Sequence, residues 1–153
     1  MKNILFSILT LGVIVLGVYM IQQQKVTAPA PQQVAAEMCG LTITSPLPAT
    51  TVTFPLTIQA VVDNTQAGTL GCSWTVFEAQ AGTVTVKDQN GAILGTGILS
   101  TTNDWMTTAP TPYTATITSL TNPTYTGPLS LVFNEENPGD LPNPDSLTVS
   151  VVK

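Results

Sequence analysis

The sequence predicts an all-β domain carried behind one apolar N-terminal segment, and three observations predict it. From residue 41 onward the chain consists of short runs in which apolar and polar residues alternate, as in Leu41-Thr-Ile-Thr44, Tyr113-Thr-Ala-Thr-Ile-Thr118 and Leu147-Thr-Val-Ser-Val151. Period two is the signature of a half-buried strand. These runs are rich in threonine, which favours strands, and are punctuated by the glycines and prolines of turns. After residue 25 no stretch carries the 3.6-residue period of an amphipathic helix.

The N-terminal segment comes first. Met1-Lys2-Asn3 precedes an uncharged, mostly apolar run from Ile4 to Ile21, then Gln22-Gln23-Gln24-Lys25. Eighteen residues lie near the lower limit for a membrane-spanning helix and exceed the apolar core of an ordinary signal peptide. The cleavage-like tripeptide Ala28-Pro29-Ala30 is followed by Pro31, and Val34-Ala35-Ala36 lies far beyond the apolar run. Residues 1–25 are therefore expected to be an uncleaved single-pass anchor. The amino terminus and Lys2 outweigh Lys25, so the C-terminal part is expected outside the cytoplasm. Secretion after signal cleavage is the alternative.

Residues 26–38, rich in Gln, Ala and Pro, read as an extended, semi-rigid linker. Residues 39–153 read as one domain. Its first strand, from Leu41, is split by Ser45-Pro46-Leu47-Pro48 and resumes at Thr51-Val52-Thr53-Phe54, an interruption typical of a sheet edge, where proline's missing N–H is tolerated. Leu56 to Val62 forms the next strand, ended by Asp63-Asn64. Trp74 to Ala79 and Thr83 to Lys87 read as an extended region around Gly82. Asp88-Gln89-Asn90-Gly91 is the clearest hairpin turn, since Asn-Gly accepts positive φ. Ala92 to Leu99 returns. A polar loop then carries Asp104-Trp105-Met106, and strands follow at Tyr113–Thr118, Gly127–Asn134 and Leu147–Val151, the last two separated by an acidic, Pro-rich loop over 134–145. Seven or eight short strands with frequent turns predict a two-sheet antiparallel sandwich of immunoglobulin type.

Charge narrows the function classes. The chain has four lysines, no arginine and no histidine; beyond Lys25 two lysines face nine carboxylates, a net charge of −7. Nucleic acid and anionic membrane surfaces both require clustered cations, so neither is an expected partner. Without histidine the commonest general base and transition-metal ligand are missing. No cofactor motif is present.

Several separated stretches resemble the immunoglobulin-like domain of bacterial spore germination proteins. They are Ile43-Thr-Ser-Pro46-Leu-Pro48, Val52 through Pro55-Leu56, Trp74-Thr-Val-Phe77-Glu78-Ala79, Val84 to Asp88 with Asn90-Gly91, Asp104-Trp105-Met106-Thr107, and Leu129 to Phe133 continuing into Asn137-Pro138-Gly139-Asp140-Leu141-Pro142. The order and spacing match from Cys39 to Lys153. The resemblance implies a non-catalytic adhesive, cell-wall or protein-binding module on an exported bacterial chain, with Trp74, Phe77 and Glu78 as structural motif residues.

Six groups of residues carry the chemistry. Cys39 and Cys72 are the only cysteines. In an oxidising compartment they are expected to pair, closing a loop worth on the order of 3–4 kcal/mol in lost chain entropy. Trp74 and Phe77 are expected to fill the core. Trp105, with Asp104 and Met106, is the candidate binding loop. Glu78 is expected on a half-buried strand, accepting loop N–H bonds and fixing the Asp104-Trp105 loop; as a catalytic acid it would need Asp104 or Asp88 as partner. Asp88-Gln89-Asn90-Gly91 resembles the start of a calcium loop but reads more simply as the hairpin turn, and Glu135, Glu136, Asp140 and Asp145 are a second cluster of oxygen donors.

The expected function is a non-catalytic extracytoplasmic binding or adhesion module, presented on the cell surface by residues 4–21 and recognising an envelope protein or cell-wall glycan. The alternatives are an envelope hydrolase using Glu78 with Asp104 or Asp88, and a self-associating surface structural protein.

Overall fold

A computed structural model of the protein describes residues 32–38, 40–65, 73–136 and 146–153. The apolar segment 4–21, both cysteines and residues 137–145 of the acidic loop lie outside the described residues, and with them the expected anchor, the expected disulfide, and Asp140 and Asp145. Among the described residues no helix is long and apolar enough to cross a membrane.

The all-β expectation holds for the described residues. Eight strands follow in order: β1 (Ala36–Met38), β2 (Leu41–Ser45), β3 (Leu56–Val62), β4 (Gln80–Asp88), β5 (Ile93–Ser100), β6 (Thr111–Ile117), β7 (Pro128–Glu135) and β8 (Ser146–Val152). All neighbours are antiparallel, in the spatial order β1-β2-β3-β6-β5-β4-β7-β8. The sheet is nearly closed on itself. The segment after β2 crosses over and runs parallel to β8, with Ala49 N–H donating to Ser150 C=O (2.7 Å), Val52 N–H to Val152 C=O (2.7 Å) and Val152 N–H to Thr50 C=O (2.9 Å). The split first strand thus serves two neighbours: its first half pairs with β3 and its second with β8. The architecture is barrel-like, with its thinnest joint between β5 and β6, where one residue pair, Ser100 with Thr114, connects them.

Period two explains the packing. In β3, Leu56, Ile58, Ala60 and Val62 point inward while Thr57 and Gln59 are exposed. In β6, Thr111, Tyr113, Ala115 and Ile117 do the same. β7 adds Leu129, Leu131 and Phe133, and β8 adds Val149 and Val151, so one apolar core fills the interior. Burial of each large side chain contributes about 1.5–3 kcal/mol relative to exposure. Gly82 is dictated by crowding: its φ is 129°, and a Cβ there would strike the Asn134 carbonyl of β7.

Two boundaries differ from the sequence reading. Ala36–Met38, assigned there to the linker, pairs with β2 as β1, and the compact unit begins at Gln33. Trp74 to Ala79 is not part of the β4 strand: a tight turn separates it from Gln80.

The strand directions sort the connections between two ends. At one end lie the β2–β3, β4–β5 and β6–β7 connections, together with Gln33, whose side-chain amide donates to Pro48 C=O (2.9 Å). At the other lie the β3–β4 and β5–β6 connections and the ends of β7 and β8 that flank the acidic loop. A nine-residue strand such as β4 separates the two ends by about 26 Å.

Candidate functional site

The second of these ends gathers the residues singled out in the sequence. Trp74 is its foundation, 1% exposed and part of the core. Its placement follows from a β-bulge in β4. The register slips between Gln80 and Gly82, so Ala81 has no partner on β5. The freed Ala81 carbonyl accepts the Trp74 indole N–H, satisfying a polar group that would otherwise be buried at a cost of about 1–3 kcal/mol. Asn64 holds the Trp74 backbone from the other side. Trp74 N–H donates to Asn64 Oδ1 (2.9 Å), and Asn64 Nδ2 donates to Trp74 C=O (2.9 Å). The amide imitates a strand partner at a point where none is available. Thr75 N–H donates to Glu135 Oε1, tying this segment to the end of β7.

The next four residues correct the sequence reading. Phe77 and Gln80 exchange both backbone bonds (Phe77 N–H to Gln80 C=O 2.8 Å; Gln80 N–H to Phe77 C=O 2.9 Å), leaving Glu78 and Ala79 as a two-residue turn. Both have positive φ, 49° and 65°, the mirror-image turn that matches strand twist. Glu78 therefore sits exposed at a turn tip, not on a half-buried strand, and no hydrogen bond joins it to the Asp104-Trp105 loop. Phe77 is 44% exposed and does not fill the core. The reason is parity: Ala81 points inward, so Gln80 and its partner Phe77 point outward.

The β5–β6 loop packs beside this turn, with Thr101 N–H donating to Ala79 C=O (3.0 Å). Side chains shape it locally. Asp104 Oδ1 accepts Met106 N–H (3.0 Å), Thr101 Oγ1 accepts Asn103 N–H (3.1 Å) and Thr107 Oγ1 accepts Ala109 N–H (3.1 Å). These short-range bonds hold turns in a loop that cannot form a ladder. They leave Trp105 half-buried against the core and Met106 81% exposed. Between Trp74 and Trp105 lies a recess of about 330 Å³, walled by Asn64, Thr75, Val76, Met106, Thr111 and Tyr113 among others, with no charged side chain among the described residues of its wall. Burial pushes the Tyr113 hydroxyl above its ordinary pKa.

Glu78 and Asp88 do not stand together as a carboxylate pair. Asp88 lies at the far end of β4 from the Glu78 turn, about 26 Å by strand length, whereas glycosidase carboxylates stand about 5–9.5 Å apart. Asp88 is occupied with its own turn: Oδ1 accepts Asn90 N–H (2.8 Å) and Ala92 N–H (2.9 Å). Gly91 donates to Asp88 C=O (3.0 Å) with φ 83°, so Gly91 alone, not Asn-Gly together, supplies the left-handed residue of this hairpin. The hairpin accounts for the calcium-like sequence. Asp104 shares an end with Glu78 but is engaged with Met106 N–H. Among the described residues no group of three or more Cys, Asp or Glu side chains converges as a metal site.

The Asn64 clamp and the Glu78-Ala79 turn are absent from the sequence reading. For Asn64, its place directly after an alternating strand was the available signal; the turn has none, since neither residue is glycine or asparagine. Comparison with known proteins finds no matching family model, no similar curated protein and no similar solved structure.

Proposed function

We propose that this chain is a non-catalytic recognition module of immunoglobulin-like type, of the kind found with spore germination proteins, tethered outside the cytoplasm by residues 4–21. It binds a protein of the cell envelope through the loops at the Trp105 end. The observation that carries this reading is the separation of the two ends. The compact unit begins at Gln33, beside Pro48. The Trp105 loop, the Glu78 turn and the start of the acidic loop all lie at the other end, about 26 Å away. Gln33, where the β domain begins, and these loops therefore lie at opposite ends of that domain.

The chemistry of the end favours a protein over a glycan. Phe77 and Met106 are exposed apolar groups, and Glu78, Asp104 and Glu136 belong to connections at the same end. Exposed apolar side chains together with carboxylates complement a surface of apolar and basic side chains. The immunoglobulin-like assignment is supported by the strand order, in which β1, β2, β3 and β6 meet β5, β4, β7 and β8 at one residue pair, and by the first strand's division between β3 and β8.

The test is capture of partners by the full chain in nanodiscs from envelope protein extract and, separately, on purified peptidoglycan. Retention of an envelope protein, reduced at least about tenfold by Trp105→Ala with Met106→Ser, is the expected result. Retention on peptidoglycan alone, or capture unaffected by the double variant, would overturn it.

A further inference from the structure

Strand β5 carries a second binding surface. On one side it pairs with β4 along its length. On the other, only its ends are engaged: Leu94 C=O accepts Thr121 N–H (2.7 Å), and Ser100 pairs with Thr114. Antiparallel strands direct the N–H and C=O of alternate residues to the same side. The groups of Thr96 and Ile98 therefore point the same way as those of Ser100, away from β4, and pair with no strand among the described residues. β6 does not cover them. A Cβ on Gly95 or Gly97 would lie 3.2 Å from the Ile117 side chain, so β6 passes beneath the inward face of β5 rather than beside its edge.

The edge has few of the usual protections. Ile93–Ser100 contains no charge and no proline, its one bulge, at Leu94, lies near the start of the strand and leaves Gly95 to Leu99 in regular register, and Ile93 and Ile98 are 59% and 51% exposed. Natural edges are normally blunted by such devices because an open edge is a template for another strand.

We propose that this edge is a homodimerisation site, where two copies of the chain pair β5 with β5 antiparallel about a two-fold axis at Gly97. Charge selects the occupant. Asp104 is the only charged residue between Asp88 and Glu135, in a chain with a net charge of −5. Two anionic copies repel each other over most of their surface and least at this neutral strand, whereas a basic partner is drawn to the acidic end instead. The register follows from the free groups. An axis at Gly97 sets Thr96 of each copy opposite Ile98 of the other. These residues exchange both backbone bonds in each pair, four in all, and leave the Leu94 and Ser100 bonds undisturbed. The interface is self-complementary, as a two-fold dimer requires.

The test uses the full chain in detergent micelles at dilute and concentrated protein, read by sedimentation velocity and amide hydrogen exchange. Dimerisation on concentration is expected, with exchange at Thr96 and Ile98 slowed at least about tenfold in the dimer. Thr96→Lys weakens association at least about tenfold, while Thr57→Lys, an exposed position on β3, leaves it unchanged. Should Thr96→Lys lose its cooperative melt, Ile98→Lys reads the same edge. A monomer at every concentration, association that survives both lysines, or unslowed exchange at Thr96 and Ile98 would overturn the proposal.

Discussion

Replacing Ala79 with glycine should stabilise the protein, the reverse of what glycine usually does beside a strand. Glu78 and Ala79 occupy the two central positions of a turn closed by reciprocal Phe77–Gln80 bonds, at φ 49° and 65°. The left-handed conformation costs an L-residue about 1–2 kcal/mol through the clash of Cβ with backbone carbonyl oxygen. Glycine removes that cost but adds about 0.4–1 kcal/mol of freedom to the unfolded chain. The difference leaves a gain of about 0.5–1 kcal/mol for Ala79→Gly. Adding Glu78→Asn, a side chain that tolerates the same conformation, contributes a few tenths more, about 0.3 kcal/mol. In a domain of this size about 1 kcal/mol corresponds to about 4 °C in Tm.

Urea unfolding followed by tryptophan fluorescence measures this directly, because the chain has two tryptophans and Trp74 is buried beside the turn. Ala79→Val supplies the opposite sign: a β-branched side chain in the left-handed region is a genuine outlier, and a loss of at least about 1 kcal/mol is expected. A destabilised Ala79→Gly variant, with Ala79→Val tolerated, would refute the turn geometry and with it the explanation for why Phe77 faces solvent.

Two further outcomes follow from the same end of the fold. Asn64→Leu removes both bonds to the Trp74 backbone and leaves a donor and an acceptor unpaired, so a loss of about 2–4 kcal/mol in urea unfolding is expected, with Trp74 emission shifted to the red. Tyr113, whose hydroxyl pKa is raised by burial, contributes stability that is fully present below the unfolded tyrosine's pKa of about 10 and is lost as pH rises through the folded value. Alkaline titration of stability should therefore show a decline beginning near that pH, and Tyr113→Phe should flatten it.

The fold was legible wherever one face of a strand is wet. β3, β6 and β8 alternate cleanly because their outer residues, Thr57, Gln59, Thr114, Thr116 and Ser150 among them, meet solvent. β1 was hidden for the opposite reason: Ala36-Glu37-Met38 is too short to show a period, and it becomes a strand only through pairing with β2. The closure of the sheet was also illegible. It depends on long-range bonds from Ala49 and Val52 to β8, and no local pattern encodes which partner a strand edge will find. Trp74–Ala79 reads as one extended region with Thr83–Lys87 around Gly82 because nothing between them signals a break. The chain instead turns at Glu78-Ala79, whose side chains give no turn signal.

The site was legible in its residues and illegible in its arrangement, and parity explains both. In an antiparallel fold every second connection returns to the same end. Counting strands assigns the segment holding Trp74 and Phe77, the Asp104-Trp105-Met106 loop and the departure of the chain after Glu135 to one end, and the Asp88 hairpin to the other. That count separates Glu78 from Asp88 by the full length of β4 before any distance is measured. It does not separate Glu78 from Asp104, and here local chemistry decides. A carboxylate whose Oδ1 already accepts Met106 N–H is fixed in a turn, and a glutamate at an exposed two-residue tip is solvated. What the end does combine is an exposed methionine, a half-buried tryptophan and a recess backed by Trp74, its loops held in turns by backbone N–H bonds to short side chains.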